Sequence, residues 1–134
     1  MSERPEESIK IALIEPEASD VERIKELVKS GSIHAEIADA MSIETPHLES
    51  AQIILLGLQD LGPVEIEALT RLHAGYPKIP LIVLAGPALA PRAAEAVRLG
   101  AQHVLVKSEL TTEKLSSTLR YFLGYASKEP THTA

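Results

Sequence analysis

Five short apolar runs, Ile9–Ile14, Ile33–Ala38, Ile53–Leu56, Leu81–Leu84 and His103–Val106, are spaced along the chain with amphipathic stretches between them. Such alternation is the mark of repeated strand–helix–strand units, which build a parallel sheet. Three of the runs contain segments (IILL, LIVL and VLV) that are apolar at every position instead of every second one. Those strands need cover on both faces and are expected in the middle of the sheet.

The intervening stretches read as helices. Val21, Ile24, Leu27 and Val28 recur at helical spacing, Ser19 and Glu22 form a capping-box pattern ahead of them, and Gly31 is placed to end the helix. A second stripe, Ile66, Leu69 and Leu72, follows Pro63, which suits a first turn, and stops at Gly75 and Pro77. A third helix is expected from Pro91 to Gly100, with Ala93, Ala96 and Val97 against the sheet. A last one, from about Thr112 to Tyr125, buries Leu115, Leu119 and Phe122. Met41–Ser50 reads poorly, because Pro46 lacks an amide donor and biases Thr45 away from helix; a stunted helix or irregular crossover is expected there. Together these elements predict one α/β domain over residues 9–126, a doubly wound, flavodoxin-like five-stranded parallel sheet of order 2-1-3-4-5. Residues 1–8 have no apolar run, residues 127–134 have no large apolar side chain to pack, and both ends are expected to be disordered.

Composition limits the chemistry. There is no cysteine, so thiol catalysis, disulfides and thiolate metal sites are excluded, and a cytoplasmic location is expected. Met1–Ser8 lacks the apolar run of a signal peptide, and no stretch is long and apolar enough for a membrane span. Thirteen basic against nineteen acidic residues give a formal charge of -6, which repels a phosphate backbone; nucleic acid is not expected as a direct ligand. The five histidines show no metal-ligand spacing and are expected at the surface; no cofactor and no metal is predicted. The glycines form no phosphate-cradling pattern.

Ligand sites of such sheets lie at the carboxyl ends of the strands. There the chain offers Glu15-Pro16-Glu17, Gly57, Ala85-Gly86 and Lys107-Ser108. In these positions the segments IALIEPEASDVERI, IILLGLQDLGPVEIEALTRL, PLIVLAG and LGAQHVLVKSEL resemble the receiver domain of bacterial response regulators, the CheY-like family, over about Ile9 to Ala126. In that family an acidic pair after the first strand and an aspartate after the third hold Mg2+, and the aspartate accepts a phosphoryl group. A Ser or Thr after the fourth strand and a lysine after the fifth contact the phosphoryl oxygens. Such transfer is catalysed by in-line positioning and by cations that cancel charge on the moving group.

The resemblance puts Pro16 and Glu17 at the acidic pair, Gly57 at the acceptor, Ala85 at the hydroxyl residue and Lys107 at the lysine, so that only Glu17 and Lys107 keep the family's groups. A glycine has no carboxylate to form an acyl phosphate. The aromatic residue that the family moves on its fifth strand is here Val104, and its proline after the lysine is Ser108, which makes a cis bond costly by about 3 kcal/mol and predicts a trans Lys107–Ser108 bond. The resemblance therefore implies a degenerate receiver, or pseudo-receiver, that is not an enzyme and signals by protein–protein contact. Lys107 is expected to pair with Glu17, and with Glu15 as a further candidate; Asp60 is expected to point along its loop, away from the pocket.

In receivers the face of the fourth helix, fifth strand and fifth helix is the usual dimer and output surface, so Arg92, Glu95, Arg98, Val104, Arg120 and Tyr121 are candidate contacts for a signalling partner or a second copy of the chain. Two other classes stay open: a phosphorylatable receiver with an unconventional acceptor, and a sensor whose emptied pocket admits an anion or metabolite near Lys107.

Overall fold

Segments that are apolar at every position form strands without an exposed residue: β3 (Ile53–Leu58) and β4 (Leu81–Ala85) are buried throughout. The computed structural model describes residues 9–31, 33–40 and 48–123. Before β3 come β1 (Ile9–Ile14), α1 (Ala18–Ser30), β2 (Ala35–Ala40) and one 3-10 turn (Leu48–Ser50). Between β3 and β4 lies α2 (Pro63–Gly75). After β4 a 3-10 turn (Ala90–Arg92) runs into α3 (Ala93–Arg98), followed by β5 (His103–Val106), a 3-10 turn (Lys107–Glu109) and α4 (Thr112–Phe122). All pairs are parallel and the order is β2-β1-β3-β4-β5, as the alternation of segments predicts.

Two apolar layers sandwich the sheet. On one face Ile11, Leu13, Leu55, Ile82, Leu84 and Leu105 pack with Ile24 and Val28 of α1 and Leu115 and Leu119 of α4. On the other, Ala12, Ile14, Ile54, Leu56 and Val83 pack with Leu69 and Leu72 of α2, Ala96 of α3 and Leu48. The parity of each strand thus decides which helices its side chains meet.

Several boundaries differ from the sequence expectation. β5 is an edge strand, not a central one, and three of its four residues are at least partly exposed; β1 takes the interior place and is buried except at Lys10. β2 sits two residues later than Ile33–Ala38. β3 continues through Gly57 and Leu58, because both remain paired with β4 opposite Leu84 and Ala85. α1 starts at Ala18 with Glu17 in the extended N-cap position and no side-chain cap, so Ser19 lies inside the helix and the expected capping box is not formed. Val97 is 47% exposed, and α3 packs through Ala96.

Other expectations hold. Pro63 opens α2, where the Gly62 N–H donates to Glu65 Oε1 at 3.0 Å, and Gly31 caps α1. α4 starts at Thr112, and among the described residues no peptide bond is cis. Gly100 has φ +131°, and a Cβ there would stand 2.7 Å from His73 Cβ, so the turn into β5 requires glycine. The poorly read segment resolves to the turn at Leu48–Ser50, while residues 41–47, the ends 1–8 and 127–134, and Tyr125 lie outside the described residues. No described helix is long and apolar enough to cross a membrane.

Candidate functional site

Leu13, Leu55 and Leu105 belong to the layer under α1 and α4. Two residues further along each strand stand Glu15, Gly57 and Lys107, which strand alternation directs to the same side. The structure brings these three together. Glu15 is 1% exposed, and its carboxylate lies over Gly57: a Cβ built on residue 57 would overlap Glu15 Oε1, 2.5 Å from Cδ and 3.2 Å from Oε2. Glycine at 57 is therefore the space in which the Glu15 carboxyl group is housed.

A carboxylate so buried needs a counter-charge, since removing it from water costs several kcal/mol. Lys107 Nζ supplies one at 2.8 Å from Oε1, while Oε2 accepts the Glu17 N–H at 3.1 Å. The ammonium is close enough to neutralise Oε1 but not aligned to donate to it, so Oε1 accepts no hydrogen bond. One ammonium N–H is donated to Asp20 Oδ2, at 3.0 Å. Lys107, with a side chain 9% exposed, is thus held between one carboxylate of the β1 end and one of the first turn of α1. The group carries two negative charges and one positive.

Lys107 is also held by its main chain. Arg23, one helical turn after Asp20, donates from Nη1 to the Lys107 carbonyl at 2.9 Å and from Nη2 to the Leu110 carbonyl at 3.3 Å. Neither Asp20 nor Arg23 stands out in the sequence, where both read as surface residues of an amphipathic helix. Their signal is the i, i+3 spacing, which puts them on one side of α1.

The remaining sequence candidates do not converge here. Glu17 is exposed, and what reaches the site is its main-chain N–H; of the two partners expected for Lys107, Glu15 pairs with it and Glu17 does not, and Asp20 is added. The reason is geometric: Glu17 is the N-cap, outside the first turn, whereas Glu15 continues the inward row of β1. Pro16 is exposed. Ala85 is fully buried but packs in the opposite layer with Leu58, Leu61 and Leu89. Asp60 is exposed and accepts the Leu61 N–H at 2.7 Å, along its own loop as expected. Glu15 Oε1 lies between Gly57 and the Lys107 ammonium, 2.8 Å from Nζ.

On the proposed partner face, Tyr121 is 68% exposed and packs edge-on against Phe122, with ring centroids 4.9 Å apart. Arg98 is exposed; Val104 and Arg120 are half-buried. Arg92 and Glu95 are engaged within the fold: they form a two-point pair, each contact 3.1 Å, and Arg92 Nη1 donates to the Leu61 carbonyl at 2.9 Å. These two hold the β3–α2 connection to α3.

No family model and no curated protein matches the chain. Solved structures do. A response regulator receiver domain protein from Clostridium thermocellum superposes with a TM-score of 0.72 at 22% identity, covering 89% of this chain and 97% of that one. This is the receiver-domain fold. The receiver domain of NtrX from Brucella abortus shares it with a TM-score of 0.70 at 15% identity, over 84% of this chain and 97% of its own. So does a protein from Burkholderia pseudomallei provisionally described as pilus assembly-related, with a TM-score of 0.77 at 18% identity, over 92% and 96%. In this fold Glu15 directly follows β1 and Gly57 lies near the end of β3.

Proposed function

We propose that this domain is a degenerate receiver: a cytoplasmic signalling module that works by binding a protein partner, without accepting a phosphoryl group and without acting as an enzyme. The observation that carries the reading is the Glu15 carboxylate lying in the volume that any side chain at residue 57 would need. By the receiver resemblance, residue 57 is where the acceptor aspartate would stand. The carboxylate that replaces it in space comes from another strand, is buried, and is neutralised by Lys107. In-line transfer needs an accessible nucleophile and a second ligand for Mg2+. Pro16 provides no ligand, and Ala85 lacks the hydroxyl that the family uses. Partner contact falls to the exposed part of the α3–β5–α4 face, Arg98 and Tyr121 first, because Arg92 and Glu95 are already paired.

Incubation with acetyl phosphate and Mg2+ followed by intact-mass analysis tests this reading. The expected result is no incorporated phosphate and no change in thermal stability with beryllofluoride. A stoichiometric, hydroxylamine-labile phosphate would overturn it.

A further inference from the structure

Lys107 is the first residue after β5 and opens the 3-10 turn that leads into α4. Its ammonium is held from the β1–α1 segment, by Glu15 and Asp20, and its carbonyl accepts from Arg23 of α1 as well as from the Leu110 N–H of its own turn, at 3.3 Å. Arg23 also reaches Leu110, so that both ends of the connection are held from the same helix. β5 itself is an edge strand with a neighbour on one side only. The position of α4 relative to the sheet therefore depends on this connection and on the apolar contacts of Leu115 and Leu119.

We propose that Glu15 is a built-in ligand which, acting through Lys107, locks the β5–α4 connection in one conformation, so that the partner face is set permanently by the fold instead of by an added group. The inference rests on the reading of the domain as phosphorylation-independent and names how that same pocket is regulated. Its physical basis is the geometry of the pocket. The carboxylate fills the cavity over Gly57, its charge fixes the Lys107 side chain, and the residue so fixed presents the carbonyl that Arg23 grips. A local opening of residues 107–111 must break the ion pair and the arginine clamp, which leaves the buried Glu15 carboxylate without its counter-charge and gives up both Arg23 hydrogen bonds. Elements far from the lock, such as α2, do not share that cost.

Amide hydrogen exchange on the whole chain reads the lock directly. Glu15→Gln keeps the volume over Gly57 and removes the charge; Arg23→Gln removes the clamp from an exposed position. Both variants are expected to speed exchange over residues 107–115 by about tenfold or more, while exchange over residues 63–75 of α2 stays within about twofold of wild type. Unchanged exchange at 107–115 in either variant would overturn the proposal, as would an equal rise over both segments in the two variants. The readout is independent of acetyl phosphate labelling: a wild-type chain that takes up phosphate defeats the functional reading whatever the exchange pattern, and a uniform exchange pattern defeats the lock whatever the labelling.

Discussion

Glu15 and Gly57 share one volume: the carboxyl group of the first occupies the place of the missing side chain of the second. Each residue makes the other intelligible. A buried glutamate at the end of a strand needs room and a cation, and the chain provides the room at 57 and the cation at 107.

Gly57→Ala is the smallest test of that relationship. The added methyl meets a carboxylate held on both oxygens, so the variant is expected to lose about 1–3 kcal/mol, the usual cost of overpacking a tight site. Glu15→Ala clears the space, and the double variant Glu15→Ala/Gly57→Ala should lose clearly less than the sum of the two single losses, because contacting residues are energetically coupled. Urea denaturation of the four proteins gives the cycle; strict additivity would show that the two residues do not compete for space.

Lys107→Met leaves the Glu15 carboxylate buried without its counter-charge. Breaking a buried pair on one side costs about 3–5 kcal/mol, whereas replacing both partners by apolar groups of similar size is close to neutral. The Lys107→Met variant is therefore expected to melt far below wild type, and Glu15→Leu/Lys107→Met to recover most of that loss. A Lys107→Met protein as stable as wild type would mean that the ammonium is dispensable.

Helix capping separates the two readings of the chain. Thr111 Oγ1 accepts the Lys114 N–H at 3.0 Å at the start of α4, so Thr111→Ala should cost about 1 kcal/mol. Ser19, which the sequence presents as the cap of α1, lies inside that helix and caps nothing; Ser19→Ala should change stability by no more than about 0.5 kcal/mol. Chemical denaturation of both variants decides the matter, and the reverse order of effects would restore Ser19 to the cap.

The contrast shows what was legible before the structure. Uninterrupted apolar segments such as IILL and LIVL announce strands covered on both faces, and with the glycine and proline stops between helices they suffice for the element order and the sheet topology. Local capping patterns are weaker, because Ser19 and Glu22 satisfy a rule that the turn at Glu15–Glu17 overrides: the Glu17 N–H is drawn back to Glu15, and the helix begins at Ala18. The emptiness at Gly57 was visible as a residue type. That Glu15 fills it was not, although the rows 13–15, 55–57 and 105–107 share one parity and would have shown it. Asp20 and Arg23 were hidden for a different reason: their partners lie more than 80 residues away, on a connection whose position only the folded sheet defines.

Moving the carboxylate from one strand to the other asks whether chemistry or only charge is missing. In Glu15→Ala/Gly57→Asp the buried space over residue 57 is cleared and then refilled from β3, on the same side of the sheet and next to Lys107. The ion pair is expected to re-form, so the double variant should be more stable than Gly57→Asp, in which two carboxylates contend for one cavity and one cation. Labelling by acetyl phosphate and Mg2+ should nevertheless stay well below stoichiometric. An aspartate alone provides one metal ligand, Pro16 adds none, and Ala85 packs in the opposite layer without a hydroxyl. Since transfer depends on several positioned groups together, restoring one of them restores little of the rate. Intact-mass spectrometry over a time course checks both halves, and rapid full labelling of the double variant would show that the acceptor was the single missing part.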